Sequence, residues 1–280
     1  MSLSLAGSQP TFADVDSAGN AAQFVDYLDN VRAMAEIQRI DQTIQDIVAA
    51  ERPGLIVEIG CGTGDLLGRL VDASTGAGLG IEKSADLAAE AQRRHQTNPK
   101  LDFMVHDLMT DPVGGALSTG GYGPGSADVV LLNRVVQHLA DPVRLLENAR
   151  SLLRRNGLVV LSDVDWTQLS INHPDEATTA RVLAEHVASV TTPRAGAVLG
   201  RLLGEAGFER PAEALRVVHR VGNFAVADGL FRLTDAAMRL VDTGAASADD
   251  IHRWLDGCRH LDRLGCFAAT ISQSIAVARA

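Results

Sequence analysis

Between Leu55 and Leu70 the chain reads LIVEIGCGTGDLLGRL. Leu55, Ile56, Val57 and Ile59 form a short apolar run that Glu58 interrupts and Gly60, Gly62 and Gly64 stop, after which Leu66, Leu67 and Leu70 recur at helical spacing. Strand, tight glycine loop and helix in direct succession commit this stretch to one unit of an α/β sheet. A parallel strand buried on both faces needs a near-continuous apolar run, and the helix after it must pack back onto the sheet.

The unit repeats. Gly78 to Glu82 reads as a buried strand, Ala85 to Arg94 as a helix and Leu101 to His106 as a third strand. Ala127 to Leu132 follows as strand four, Pro142 to Leu153 as a helix and Gly157 to Asp163 as strand five, with Asn156 and Gly157 supplying the turn before it. Upstream, Phe24, Leu28, Val31, Ala35, Ile40, Ile44, Ile47 and Val48 recur at spacings near three and four, which predicts one amphipathic helix or a broken pair ending before Pro53 and Gly54. The glycine-rich stretch from Pro112 to Ser126 reads as a mobile connection. Beyond Asp163 the alternation breaks. Helical patterns at Ala177 to Val190 and Ala197 to Ala206 precede a strand from Leu215 to Phe224; amphipathic helices at Leu230 to Val241 and Ala248 to Leu261 precede a final strand from Ala269 to Val277. No repeat of solenoid length is evident.

With 280 residues, 46% hydrophobic and 21% charged, the chain has the composition of a soluble globular protein. A net charge of -10 opposes a surface built to neutralise phosphates, so nucleic acid is not an expected partner. No run approaches the ~20 apolar residues that cross a bilayer, and no membrane partner is expected either. Met1 to Gln23 has no Lys or Arg and no compact apolar segment of a secretory signal. Cys61, Cys258 and Cys266 are odd in number and lack metal-site spacing, so they read as free thiols in a reducing, cytoplasmic compartment, with no metal bound.

Gly60, Cys61, Gly62, Thr63 and Gly64 form G-x-G-x-G, where missing side chains let backbone N–H groups approach a ligand or simply shape a turn. Three acids give the loop its context. Glu58 lies just before it; Glu82 ends the second strand, where a carboxylate can accept both hydroxyls of a ribose; Asp107 ends the third strand at the same rim. A nicotinamide-dinucleotide fingerprint would need a third glycine where the chain has Asp65.

This ordered set resembles the class I S-adenosylmethionine-dependent methyltransferases. The similarity continues through Asn133, Arg134, Val135, Val136, Gln137, His138, Leu139, Ala140, Asp141 and Pro142, and through LLRRNGL from Leu152 to Leu158, where Asn156 replaces the family's usual proline. It extends over roughly Phe12 to Ala280 and points to the small-molecule branch related to ubiquinone and menaquinone biosynthesis. The resemblance implies a Rossmann-like, doubly wound seven-stranded sheet with its last strand antiparallel, N-terminal helices and helical cap insertions. It divides the chain into a helical segment over the cofactor site (1–50), an S-adenosylmethionine-binding core (51–163) and a part that completes the sheet and caps the substrate (164–280). The cofactor is then S-adenosyl-L-methionine and the product S-adenosyl-L-homocysteine. By this likeness Gly60, Cys61, Gly62 and Gly64 face the methionine part, with Glu58 organising the loop. Glu82, followed by Lys83, holds the ribose, Asp107 and Leu108 flank the adenine, and Asn133 joins the set. Tyr27, on the leading helix, either reaches the sulfonium end or packs into the core, and Met34 is read as packing.

Methyl transfer from a sulfonium asks chiefly for alignment at about 3 to 3.5 Å, exclusion of water and, for some acceptors, removal of a proton. His138, after strand four, is placed to serve as a general base or to fix its loop by hydrogen bonding. Asp163 and Asp165 share one strand face and could assist deprotonation or hold a polar substrate group, while Trp166 either covers a flat ring or packs. His173 and Arg194, in the insertion that follows, are candidate substrate contacts, Arg194 for a carboxylate. The cap segments, rich in Leu, Val, Ala and Met, predict an apolar pocket for a modest organic molecule. The expected function is transfer of a methyl group to O, N or C of a small organic metabolite. A cyclisation or other non-methylating reaction on the same fold, a non-catalytic cofactor-binding protein and a nicotinamide dehydrogenase are the alternatives. A homodimer is the default oligomer.

Overall fold

The computed structural model describes residues 15–16, 21–111 and 121–280. Residues 112–120 of the glycine-rich connection, and most of the stretch read for a secretory signal, lie outside the described residues. Among those described, seven strands form a single sheet in the order β3-β2-β1-β4-β5-β7-β6. β1 (Leu55–Ile59), β2 (Ala77–Glu82), β3 (Leu101–Val105), β4 (Ala127–Asn133) and the start of β5 (Leu153–Ile171) pair in parallel, as the apolar runs predict. β7 (Ala269–Arg279) inserts between β5 and β6 (Glu209–Val221) and runs antiparallel to both.

Strand alternation sorts the core into two layers. Val57, Ile59, Val130, Leu132, Val159 and Leu161 face α5 (Pro142–Leu152) and α7 (Ala195–Glu205). Ile56, Val129, Leu131, Leu158 and Val160 face α2 (Ala35–Ala50) and α3 (Asp65–Asp72). α1 (Ala21–Arg32) precedes α2, so the leading amphipathic stretch is a broken pair, and α4 (Ala85–Arg94) begins at Ser84, whose hydroxyl accepts the Leu87 N–H at 3.2 Å. α6 (Glu176–Ala188), α8 (Phe224–Phe231), α9 (Leu233–Asp242) and α10 (Ala248–Arg263) bury their own apolar cluster around Trp254 and Phe267 against β7 and the far end of β5.

Several boundaries differ from the sequence reading. β5 begins at Leu153 rather than Gly157, so the expected turn at Asn156 and Gly157 lies inside the strand, where Asn156 takes a left-handed φ of 62°. β5 continues past Asp163 to Ile171, because pairing with β7 carries its more polar half across a register shift between Asp165 and Ser170. β6 starts at Glu209 and stops at Val221. Pro211 is tolerated there because it lies within a register shift on an edge strand, and Asn223 caps a helix that starts at Phe224 by accepting the Val226 N–H at 3.0 Å. The helix expected over Leu230 to Val241 is broken by Arg232, whose φ of 50° is left-handed.

Candidate active site

The strand order reverses between β1 and β4, and in open α/β sheets ligands bind beyond the carboxyl ends of the strands at such a switch point. A cavity of about 310 Å³ lies here, walled at one side by Gly60, Gly62, Glu82 and Asp107 and at the other by Val164, Trp166, His219 and Gln273.

The glycine loop owes its shape to backbone that other residues adopt poorly: φ is 70° at Gly60, 54° at Gly62 and 75° at Gly64. A Cβ on Gly60 would come within 2.6 Å of Val135, and one on Gly64 within 2.5 Å of Phe103. Glu82 braces this loop: one carboxylate oxygen accepts the Gly62 N–H and the other the Ser84 N–H, each at 3.0 Å. Asp107 lies at the cavity wall and accepts the Met109 N–H at 2.8 Å. Asn133 ends β4 at the wall, and its Oδ1 is buried without a partner among the described residues.

On the opposite wall, Gln137 links neighbouring segments. Its Nε2 donates to the Arg134 carbonyl at 3.2 Å and its Oε1 accepts the Trp166 indole N–H at 2.5 Å. The Trp166 ring meets His186 and Phe231 edge-on, at 4.8 and 6.0 Å between centroids. His138 lines the cavity and its side chain is solvent-exposed. Crowding by protein, followed by the charges of Arg134 and Lys83, pulls its imidazole down to about 4.

A family model described as a methyltransferase domain matches residues 57–159, from within β1 into the parallel part of β5. The chain is 31% identical over 261 residues to an uncharacterised 37.1 kDa protein in transposon Tn4556 of Streptomyces fradiae, covering 91% of this chain and 71% of that protein. The fold is shared with the CurJ carbon methyltransferase (TM-score 0.58, 15% identity, 95% of this chain and 61% of that one). It is shared too with Haemonchus contortus phosphoethanolamine N-methyltransferase 2, solved in complex with S-adenosyl-L-methionine (TM-score 0.55, 14% identity, 96% and 60%). Residues 57–159 thus carry the methyltransferase domain of the class I S-adenosylmethionine-dependent family, and over most of its length the chain is related to the uncharacterised transposon protein.

The residues of this methyltransferase fit its cofactor, S-adenosyl-L-methionine: a glycine cradle, a carboxylate on the wall at the end of β2 and an unpaired amide oxygen at Asn133 lie on one side of the cavity. Tyr27, Lys83 and Leu108 also line the cavity, and so does Met34, which the sequence reading assigned to packing. Glu58 and Cys61 do not. They line an adjoining recess of about 60 Å³ that shares Gly60, Gly62 and Asn133 with the main cavity. Glu58 is buried and accepts the Leu67 N–H at 3.1 Å, and burial, reinforced by Asp41, pushes its carboxyl up to about 8. Burial likewise raises the Cys61 thiol well above its usual range, so no thiolate forms there. Gly64 starts α3 and faces Phe103 rather than the cavity.

Four residues expected on the substrate side lie away from the cavity wall. Alternation along β5 turns Val164 to the cavity and Asp163 and Asp165 to the opposite face, where Gly196 of α7 packs against their backbone. Asp163 is fully buried, accepts the Gln137 and Val164 N–H groups at 3.1 and 2.8 Å, and is pushed by burial up to about 7. Asp165 accepts the Thr167 N–H at 3.1 Å and its hydroxyl at 2.5 Å. His173 stacks by Trp254 at 5.6 Å inside the cap core, and Arg194 is an exposed N-cap of α7. In their place the structure brings Arg134, Gln137, His219 and Gln273 to the wall. Gln137 adjoins His138 in the motif and could have been flagged by that proximity. His219 and Gln273 carry no local signal.

Proposed function

We propose that this methyltransferase moves the S-adenosyl-L-methionine methyl group to O, N or C of a small, largely apolar organic acceptor. The observation that carries the reading is one continuous cavity with a glycine-and-carboxylate half over β1 to β3 and an apolar half, with Val31, Met34, Leu230 and Ile271, over β5 to β7 and the helices above them. When bound, the cofactor supplies an electrophilic methyl on a sulfonium. Glu82 accepts the ribose hydroxyls with the lone pairs its two backbone donors leave free, Asp107 and Leu108 flank the adenine, the Gly60 to Gly62 backbone faces the methionine part, and Asn133 Oδ1 accepts from its ammonium. Tyr27 and the α1 helix close the cavity from above, which excludes water, and Trp166, fixed by Gln137, bounds the acceptor. Alignment does most of the work. His138, neutral at ordinary pH, takes a proton where the acceptor has one to lose. Asp163 has no such part, because its carboxyl is turned to backbone N–H groups on the other face.

The test is incubation of the protein with S-adenosyl-L-methionine and a panel of phenols, amines and activated carbon acids, read by mass. The expected result is a gain of about 14 Da in one acceptor with matching release of S-adenosyl-L-homocysteine. A product of unchanged mass without that release overturns it.

A further inference from the structure

The acceptor half of the cavity contains a polar group that neither the cofactor assignment nor the proton-transfer step uses. His219 of β6 stands opposite Ile271 of β7, on the sheet face shared by Gln273 and Val164, and is only 3% exposed. Its orientation is set by a chain of three strands. Gln273 Nε2 donates to Ser162 Oγ on β5 at 2.8 Å, which turns the amide oxygen toward His219 Nε2 at 3.0 Å. An amide oxygen only accepts, so His219 carries its proton on Nε2, and Nδ1 is left as a bare acceptor. Among the described residues that Nδ1 has no hydrogen-bond partner. Burial lowers the imidazole's affinity for a second proton; the Gln273 hydrogen bond and then Glu36 oppose this, and Arg134 reinforces it. A buried acceptor without a donor is costly, and such atoms in native structures call for a partner. Glu82 and the glycine loop belong to β1 and β2, separated from β6 by β4, β5 and β7, so the cofactor's polar groups are not that partner.

We propose that His219, held in one tautomer by Gln273 and Ser162, accepts a hydrogen bond from the methyl-accepting molecule, which makes the substrate an apolar frame carrying a neutral hydroxyl or N–H donor. The assignment rests on the methyl-transfer reading of the cavity. It makes His219 a substrate-binding residue, set apart from His138 at the rim after β4.

Phenol and anisole share a ring and differ in the donor, so they probe this directly. Long-range proton–nitrogen spectra of the folded protein with S-adenosyl-L-homocysteine present should show His219 protonated on Nε2. Phenol should shift its Nδ1 resonance and bind about five- to tenfold more tightly than anisole. His219→Phe identifies the resonance and abolishes the preference. Gln273→Met, which keeps the imidazole and releases its tautomer, weakens the preference and assigns the ring if the first variant does not fold. Equal affinity for the two probes, a proton on Nδ1, or a His219 signal that phenol leaves unmoved overturns the proposal and leaves Nδ1 to an internal water. Calorimetry with S-adenosyl-L-homocysteine on the same sample reports separately: silence there sinks the cofactor assignment, while the phenol preference still decides the role of His219.

Discussion

At the scale of single residues, Glu82 and His138 show how burial and partners set what a side chain can do. Glu82 spends one lone pair of each oxygen on backbone N–H groups, so its carboxylate is already aimed before any ligand arrives. Glu82→Ala should weaken S-adenosyl-L-methionine binding by roughly 1 to 3 kcal/mol, about 5- to 150-fold in Kd by calorimetry. Unchanged affinity would remove the ribose role. His138 has its imidazole lowered to about 4, so the free-base form that accepts a proton is present at all higher pH. Turnover should therefore show no inflection from this group near neutrality and should fall as pH drops through about 4. If His138 is the base, His138→Ala cuts turnover about 100-fold or more with cofactor affinity intact; near-normal rates across pH leave it a loop-fixing role.

At the scale of elements, the N-terminal helix is held over the site both by its apolar face, where Phe24 and Val31 are buried, and by charges. Arg32 of α1 meets Asp65 at the start of α3 at 2.5 Å and donates to Thr63 Oγ1 at 3.0 Å, while Arg94 of α4 meets Asp29 of α1 at 2.9 Å. These groups are partly exposed, so each pair is worth only ~0.2 to 1 kcal/mol and is weakened by salt. Arg94→Gln should speed amide exchange across Ala21–Arg32 about three- to fivefold and leave β1 protection unchanged. Unaltered exchange in α1 would show that its apolar contacts alone hold it. Gly64 governs the next element. With φ at 75° and a Cβ that would lie 2.5 Å from Phe103, Gly64→Ala should cost about 2 to 4 kcal/mol in urea unfolding.

At the scale of the whole molecule, buried titratable groups pull stability in opposite directions. Glu58 and Asp163 are raised from 4.5 and 3.8 to about 8 and about 7, so the folded state keeps protons that the unfolded state has lost. Their contribution is present at low pH and disappears as pH rises through those folded values. His186 is lowered from 6.5 to about 4, so the unfolded state binds more protons between these values and stability falls as pH falls across that window. The two trends oppose each other below 6.5, and above it the acids act alone. The Tm of the cofactor-free protein should therefore decline from about pH 6.5 to 8, and Glu58→Gln, which keeps an acceptor for Leu67 N–H, should remove much of that decline. A variant with the same alkaline slope would assign it elsewhere.

The parts legible in the sequence are those written in consecutive residues. LIVEIGCGTGDLL specifies strand, loop and helix because the apolar run, the glycines and the helical spacing act within a few residues of one another, and Glu82 and Asp107 follow from the same grammar at the ends of β2 and β3. That determined the fold class and the glycine-and-carboxylate half of the cavity. The half over β5 to β7 was decided by tertiary structure. The phase of β5 relative to its neighbours turns Val164 inward and Asp163 and Asp165 outward, a one-residue distinction that two acids spaced by two cannot reveal. Ser162, His219 and Gln273 meet only because β7 enters the sheet between β5 and β6. Their contact depends on the register of strands far apart in the chain, which local periodicity does not encode.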